Sequence, residues 1–170
     1  MKKIVLASAA LVLAMATGSV LAAGNSLHKG SMGLSIPVTG SDFVVEGKYL
    51  IDNNMAVLGG FGLAIHDADP NANRTDGTDV GLMGGVRKYF PMGEFAPFVG
   101  GRVDYRSTKG STVSTFGIGA EAGAEYFLGK QFSVEGRAGF GYTSISNDAP
   151  LRDASTIGTT SFALSANFYF

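Results

Sequence analysis

Apolar and polar residues alternate along most of this 170-residue chain. Near the N-terminus one face of the pattern carries the apolar side chains Met32, Leu34, Ile36 and Val38, with small or polar residues between them. A period of two is typical of a β-strand. With this segment, 31–38, the same alternation predicts eight strands in all, the others covering residues 42–51, 54–66, 79–90, 95–106, 113–128, 131–143 and 161–170.

The lengths of these segments and of the connectors between them suggest how the strands are arranged. Strands of about 10 residues cross a bilayer when they are tilted. Tight connectors at 52–54, 91–94 and 129–130 alternate with longer ones at 66–78, 107–112 and 144–157, and only the first outer connector, 39–41, is short. Short turns on one side and longer loops on the other are typical of bacterial outer-membrane barrels. The predicted fold is all-β, an eight-stranded antiparallel up-and-down transmembrane β-barrel.

The charged residues of the predicted strands fall on the face opposite the apolar one, with Lys88 as the exception near a turn. They are Glu46, Lys48, Arg87, Arg102, Asp104, Glu121, Glu125, Glu135 and Arg137. An eight-stranded barrel is only wide enough for side chains to fill it, so we expect a polar, side-chain-filled lumen in which these charges pair. Glu121 and Glu125 lie on the strand next to that of Arg137. Many of the 25 glycines share this face and would make room for the long side chains.

Aromatic residues mark both ends of the apolar face. The set toward the short turns is Phe90, Phe95, Tyr126, Phe132, Phe168 and Phe170, and the set toward the loops is Phe43, Tyr105, Phe116, Tyr142 and Phe162. Two such girdles are typical of a barrel whose apolar face meets lipid. The alternative is a soluble lipocalin-like barrel, which would turn the same apolar face inward.

Residues 1–23 are predicted to be a signal peptide. Lys2 and Lys3 precede an apolar run of 13 residues, 4–16, and small residues at Ala22 and Ala23 suit cleavage. The run is shorter than the about 20 residues that a spanning helix needs. The barrel domain would then be 24–170.

Composition and charge exclude several classes of function. A net charge of −1 gives no excess of positive charge that would bind nucleic acid. The absence of cysteine excludes disulfides, thiol catalysis and thiolate metal sites. The spacing of Asp67, Asp69, Asn71 and Asn73 is similar to the start of a calcium loop, but the required glycine and final glutamate are missing. No metal and no cofactor are expected.

At this point the chain resembles the small eight-stranded outer-membrane barrels of Gram-negative bacteria, which include the outer membrane protein X-like and opacity-like proteins and the barrel domain of outer membrane protein A. The likeness rests on the glycine-rich alternation, on the stretch 86–101 and on the last four residues, 167–170. The resemblance implies a cell outer membrane location with periplasmic termini. It also implies that the barrel-assembly machinery reads a terminal signal, carried here by Phe162, Leu164, Phe168 and Phe170.

The function expected from this resemblance is a non-enzymatic structural or surface-interaction role. Its partners would be outer-membrane lipid and lipopolysaccharide and an unidentified loop partner, and the protein would be a monomer. One alternative is a narrow, porin-like pore or small-solute conduit. Another is a lipid A-modifying enzyme, for which only His28 and His66 are candidate catalytic histidines. No nucleophile motif accompanies His66, and its position in the alternation turns it toward the lumen.

Overall fold

A computed structural model describes residues 24–39, 44–66, 77–109, 113–147 and 154–170. They form eight strands: β1 (Met32–Pro37), β2 (Val44–Asp52), β3 (Met55–His66), β4 (Gly77–Tyr89), β5 (Phe95–Lys109), β6 (Val113–Gly129), β7 (Phe132–Asn147) and β8 (Ala154–Tyr169). Each strand pairs antiparallel with the next, and β8 closes the barrel on β1. The predicted fold class is confirmed. The described ranges include no helix long and apolar enough to cross a membrane.

The seam between β1 and β8 is short because β1 has six residues. Ser35 pairs with Asn167 at its centre. Beyond the ladder, the Val38 N–H donates to the Leu164 carbonyl oxygen at 2.7 Å, and the Leu164 N–H donates to the Thr39 hydroxyl at 3.0 Å. Backbone and side-chain hydrogen bonds therefore extend the closure of the barrel past the end of β1.

The outer surface of the barrel is apolar and its interior is charged. Phe61, Leu82 and Phe140 point outward and are 51–60 % exposed, whereas Glu46 and Arg87 inside the barrel are each 1 % exposed. A water-soluble barrel has the opposite arrangement, because apolar side chains gain free energy when they leave water. The lipocalin-like alternative is therefore wrong.

The strands at the loop end are longer than the sequence pattern predicted. β5 runs to Lys109 and β7 to Asn147, past the predicted ends at 106 and 143, and β8 begins at Ala154 rather than at 161. The connectors predicted at 107–112 and 144–157 are therefore too long. Hydroxyl residues continue the ladder, with Ser107 opposite Ser114 and Ser144 opposite Ser155. These pairs extend the strands without extending the apolar pattern, which explains why the alternation ended early. β4 is also longer at the loop end, since it begins at Gly77 rather than at the predicted residue 79.

The interior glycines allow close approach of two kinds. At Gly33 an added Cβ would lie 2.9 Å from the ring of Tyr169, and at Gly117 it would lie 2.6 Å from the carboxylate of Asp104. These glycines make room for side chains, as the sequence suggested. Gly119 and Gly141 are instead paired directly across β6 and β7, and an added Cβ on either would meet backbone atoms of the other strand. At that point the glycines allow the wall itself to curve.

Candidate functional site: the charged lumen

Seven of the predicted charged residues meet inside the barrel and are called here the ion-pair network. They are Glu46, Lys48, Arg87, Glu121, Glu125, Glu135 and Arg137, and their exposed fractions range from 0 to 6 %. They lie on β2, β4, β6 and β7, and the strict alternation along each strand turns all of them inward. Charges on strands that are not neighbours are thereby brought together across the lumen.

Glu135 lies at the centre of the network. Its Oε2 atom accepts from Lys48 Nζ at 2.5 Å and from Arg87 Nη1 at 2.9 Å, and its Oε1 atom lies 3.4 Å from Arg137 Nη1. One carboxylate on β7 thus contacts three cations from three strands. Such pairing offsets the large cost of removing these charges from water.

Arg87 makes the largest set of contacts among the cations. Its Nε and Nη2 atoms both donate to Glu121 Oε1, at 2.9 and 2.7 Å, and its Nη1 atom donates to the Tyr89 hydroxyl at 3.2 Å. The guanidinium also lies over the ring of Phe98, 3.8 Å from its centroid. A planar cation with several donors can satisfy two carboxylates and stack on an aromatic ring at once.

The remaining carboxylates of the network are held by different partners. Arg137 Nη1 donates to both oxygens of Glu46, at 3.0 and 2.8 Å. The structure thus pairs Arg137 with Glu46 on β2 and with Glu135 on its own strand, rather than with the glutamates of neighbouring β6. Glu125 lies 3.3 Å from Lys48 and also accepts hydrogen bonds from Tyr169 at 2.7 Å, from Asn167 at 2.9 Å and from Ser133.

Arg102 and Asp104, on β5, lie apart from this tight arrangement. The Arg102 side chain is 17 % exposed and that of Asp104 is 46 % exposed. Arg102 approaches Asp104 and Glu121 only to 3.9 Å. The lumen is therefore more accessible on the loop side of Glu121 than at the ion-pair network.

A second group of side chains fills the lumen, mostly near the short turns, and the alternation did not predict it. This apolar cluster comprises Leu27, Leu50, Ala56, Leu58, Met83, Tyr89, Ala96, Phe98, Phe127 and Tyr169, of which Met83 lies farther toward the loops, opposite Asp104. Tyr89 packs edge-on against Phe98 with centroids 5.5 Å apart, and Phe127 lies 5.5 Å from Tyr169. The expectation of a polar, side-chain-filled lumen is wrong at this end as to polarity, because the side chains that fill it are mostly apolar. Consecutive apolar residues such as Tyr89–Phe90 and Phe127–Leu128 could have predicted it. In a strand, neighbouring residues face opposite sides, so one residue of each pair must point into the lumen.

The other predicted residues lie outside the lumen or outside the described residues. Phe162, Leu164 and Phe170 are exposed on the outer surface of β8 and just beyond it, and Phe168 is half-buried there. His28 contacts the Ser31 hydroxyl at 3.1 Å before β1. Phe43, the calcium-like spacing within 67–73 and the side chain of His66 are not among the described residues. Over the described part of the chain, no group of three or more histidine, aspartate or glutamate residues could hold a metal ion.

Comparison with known proteins identifies the family. Residues 7–170 match the family described as the outer membrane protein beta-barrel domain. The chain belongs to this family. It is an outer-membrane β-barrel protein, and the apolar outer surface is the surface that such a family places in lipid.

Solved structures of other outer-membrane proteins are similar to this chain at low sequence identity. The N-terminal barrel of Pseudomonas aeruginosa OprF is 11 % identical with a TM-score of 0.50, and the match covers 84 % of this chain and 98 % of that one. The E. coli outer membrane protein W is 13 % identical with a TM-score of 0.49, covering 84 % of this chain and 99 % of that one. No curated protein matches the sequence.

Proposed function

We propose that this protein is a non-conducting, non-enzymatic barrel of the outer membrane that acts through its lipid-facing surface and its outer loops. The observation that carries the proposal is the closure of the lumen by the ion-pair network, whose seven side chains are at most 6 % exposed. The apolar cluster closes the same lumen a second time near the short turns. Two successive layers, one charged and one apolar, leave little room for a continuous column of water.

The orientation follows from the same proposal. The segment 1–23 directs export and is removed, the termini and short turns face the periplasm, and the long connectors face outward. The monomer contacts outer-membrane lipid and lipopolysaccharide through outward residues such as Phe61, Leu82 and Phe140. The partner of the outer loops is a separate question, which capture through those loops from intact cells would address.

Conductance across a planar bilayer tests the proposal. The wild-type protein is expected to insert without producing steady channels, and the variants Arg102→Gln and Glu121→Gln are expected to remain closed. Vesicle flotation checks that each variant has inserted. Steady channels in the wild type, with a conductance that changes in either variant, would favour a conduit and contradict the proposal.

The narrow conduit is the second candidate, because the partly exposed Arg102 and Asp104 show that the loop side of the lumen is accessible. A conduit would require water to pass the ion-pair network as well. The same bilayer measurement therefore decides between the two functions.

The four aromatic and aliphatic residues Phe162, Leu164, Phe168 and Phe170 are proposed as the signal for barrel assembly. Their position on the outer surface of the closing strand supports this role, since it leaves them free of lumen contacts. Phe170→Ser is expected to reduce the folded protein in the outer membrane several-fold in cells. The same variant should refold in detergent like the wild type, and a failure there would show a structural defect instead.

A further inference from the structure

The chain before β1 crosses the short-turn end of the barrel. Residues 24–31, called here the strap, contact the turns between β2 and β3, between β4 and β5, and between β6 and β7. The Lys29 N–H donates to Asn53 at 3.0 Å, the Asn25 side chain donates to the Gly93 carbonyl oxygen at 2.8 Å, and the Ser26 hydroxyl donates to the Lys130 carbonyl oxygen. The strap therefore reaches all three short turns.

The positions of these turns show that the strap spans the mouth of the barrel. The turn that holds Gly93 joins β4 to β5, and these strands are the farthest around the wall from the seam between β1 and β8. The strap ends at that seam, because residue 31 leads directly into β1. Gly30 has a φ of +91°, which favours glycine, and lets the chain turn from the strap into the strand.

One side chain of the strap enters the lumen. Leu27 is 5 % exposed and belongs to the apolar cluster, while its neighbours His28 and Lys29 are exposed. Its N–H donates to the Asn25 side chain at 3.1 Å, a local contact that shapes the strap around the buried leucine. The strap is therefore held in two ways, by the burial of Leu27 in the apolar cluster and by the hydrogen bonds to the three short turns.

We propose that the strap is an intramolecular stopper that seals the short-turn mouth of the lumen, with Leu27 as the side chain that fills it. Ser26 and Asn25 fasten it to turns that exist only after β4 to β7 have paired. The stopper therefore seats on an assembled barrel. It contributes few of the ladder contacts that hold the strands together, so its release leaves the barrel closed around the ion-pair network.

Thiol labelling in a nanodisc tests the stopper, and the absence of cysteine from the chain removes any background. A cysteine replaces Ala96, which is fully buried in the apolar cluster, and is exposed to a water-soluble maleimide. The labelling of Ala96→Cys is expected to be at least about tenfold faster when Leu27→Asp is added, because a carboxylate cannot remain in the apolar cluster. Lys29→Ala is the matched control within the strap and should leave the rate unchanged.

Two further measurements keep the test decisive. Ser155→Cys, exposed at the loop end of β8 and away from the strap, should label at one rate in every background, and circular dichroism should show intact strand content. If Leu27→Asp does not fold, a chain lacking residues 24–27 takes its place. Equal labelling rates of Ala96→Cys with and without the strap in folded protein would overturn the proposal. Rapid labelling of Ala96→Cys while the strap is unaltered would overturn it as well.

Discussion

Arg87→Met is expected to lower the free energy of unfolding by about 3–5 kcal/mol, the range found when one partner of a buried ion pair is removed. Methionine has a similar length but no charge. Of the described cations, Glu121 then keeps only Arg102, at 3.9 Å, and Glu135 loses one of its three. The stacking over Phe98 also changes. Urea unfolding in lipid vesicles, followed by circular dichroism, measures the loss.

Arg102→Met is the matched control for this substitution. Arg102 also faces Glu121, but at 3.9 Å and with a side chain that is 17 % exposed, so water already screens the pair. The expected loss is at most about 1 kcal/mol. Equal losses for the two arginines would mean that the short contacts of Arg87 do not stabilise the barrel more than a distant, hydrated pair does.

Gly123→Ala is expected to destabilise the barrel by about 3 kcal/mol, at the upper end of the usual cost of overpacking. An added Cβ would lie 2.3 Å from the Gly136 carbonyl oxygen, 2.6 Å from the Phe98 ring and 2.9 Å from Arg137 Cα. Two of these atoms belong to the backbone of β7, so a rotamer change cannot relieve the clash. The same urea titration measures the effect.

Gly84→Ala provides the comparison on the outer surface. There the nearest atom to an added Cβ is Val103 Cγ2, at an ordinary 3.9 Å. The change is expected to stay within about 0.5 kcal/mol of the wild type, as is usual for substitutions away from packed features. A similar loss at Gly84 and Gly123 would show that the cost comes from replacing glycine in a strand and not from the close approach of β6 to β7.

The strand pattern was predictable from the sequence because lipid-facing and lumen-facing positions differ so strongly. Alternation placed Phe61 and Leu82 outside and Glu46 and Arg87 inside. It failed at the loop end of the strands, where polar residues replace the apolar ones on the outer face. At Ser144 and Ser155 the ladder continues beyond the apolar band, so hydrogen bonds extend the strands without a hydrophobic signal.

The arrangement inside the lumen was less predictable. The period of two indicates that Glu46 and Arg137 both point inward, but not that they meet across the barrel, because their strands are not neighbours. Leu50 and Phe127 lie inside despite being apolar, since the short-turn mouth is filled by packing rather than by charge. The strap has no periodicity at all, and only the assembled turns reveal its path.

The contacts across the lumen also bear on the rates at which the barrel folds and unfolds. Arg137 and Glu46 are separated by 91 positions in the chain, and Lys48 and Glu135 by 87. Such distant residues meet only after the intervening strands have been laid side by side, since closing long loops is slow. The charged layer is therefore expected to form late in assembly, and interactions that form late mainly slow unfolding. These ion pairs are expected to lengthen the lifetime of the folded barrel rather than to speed its folding.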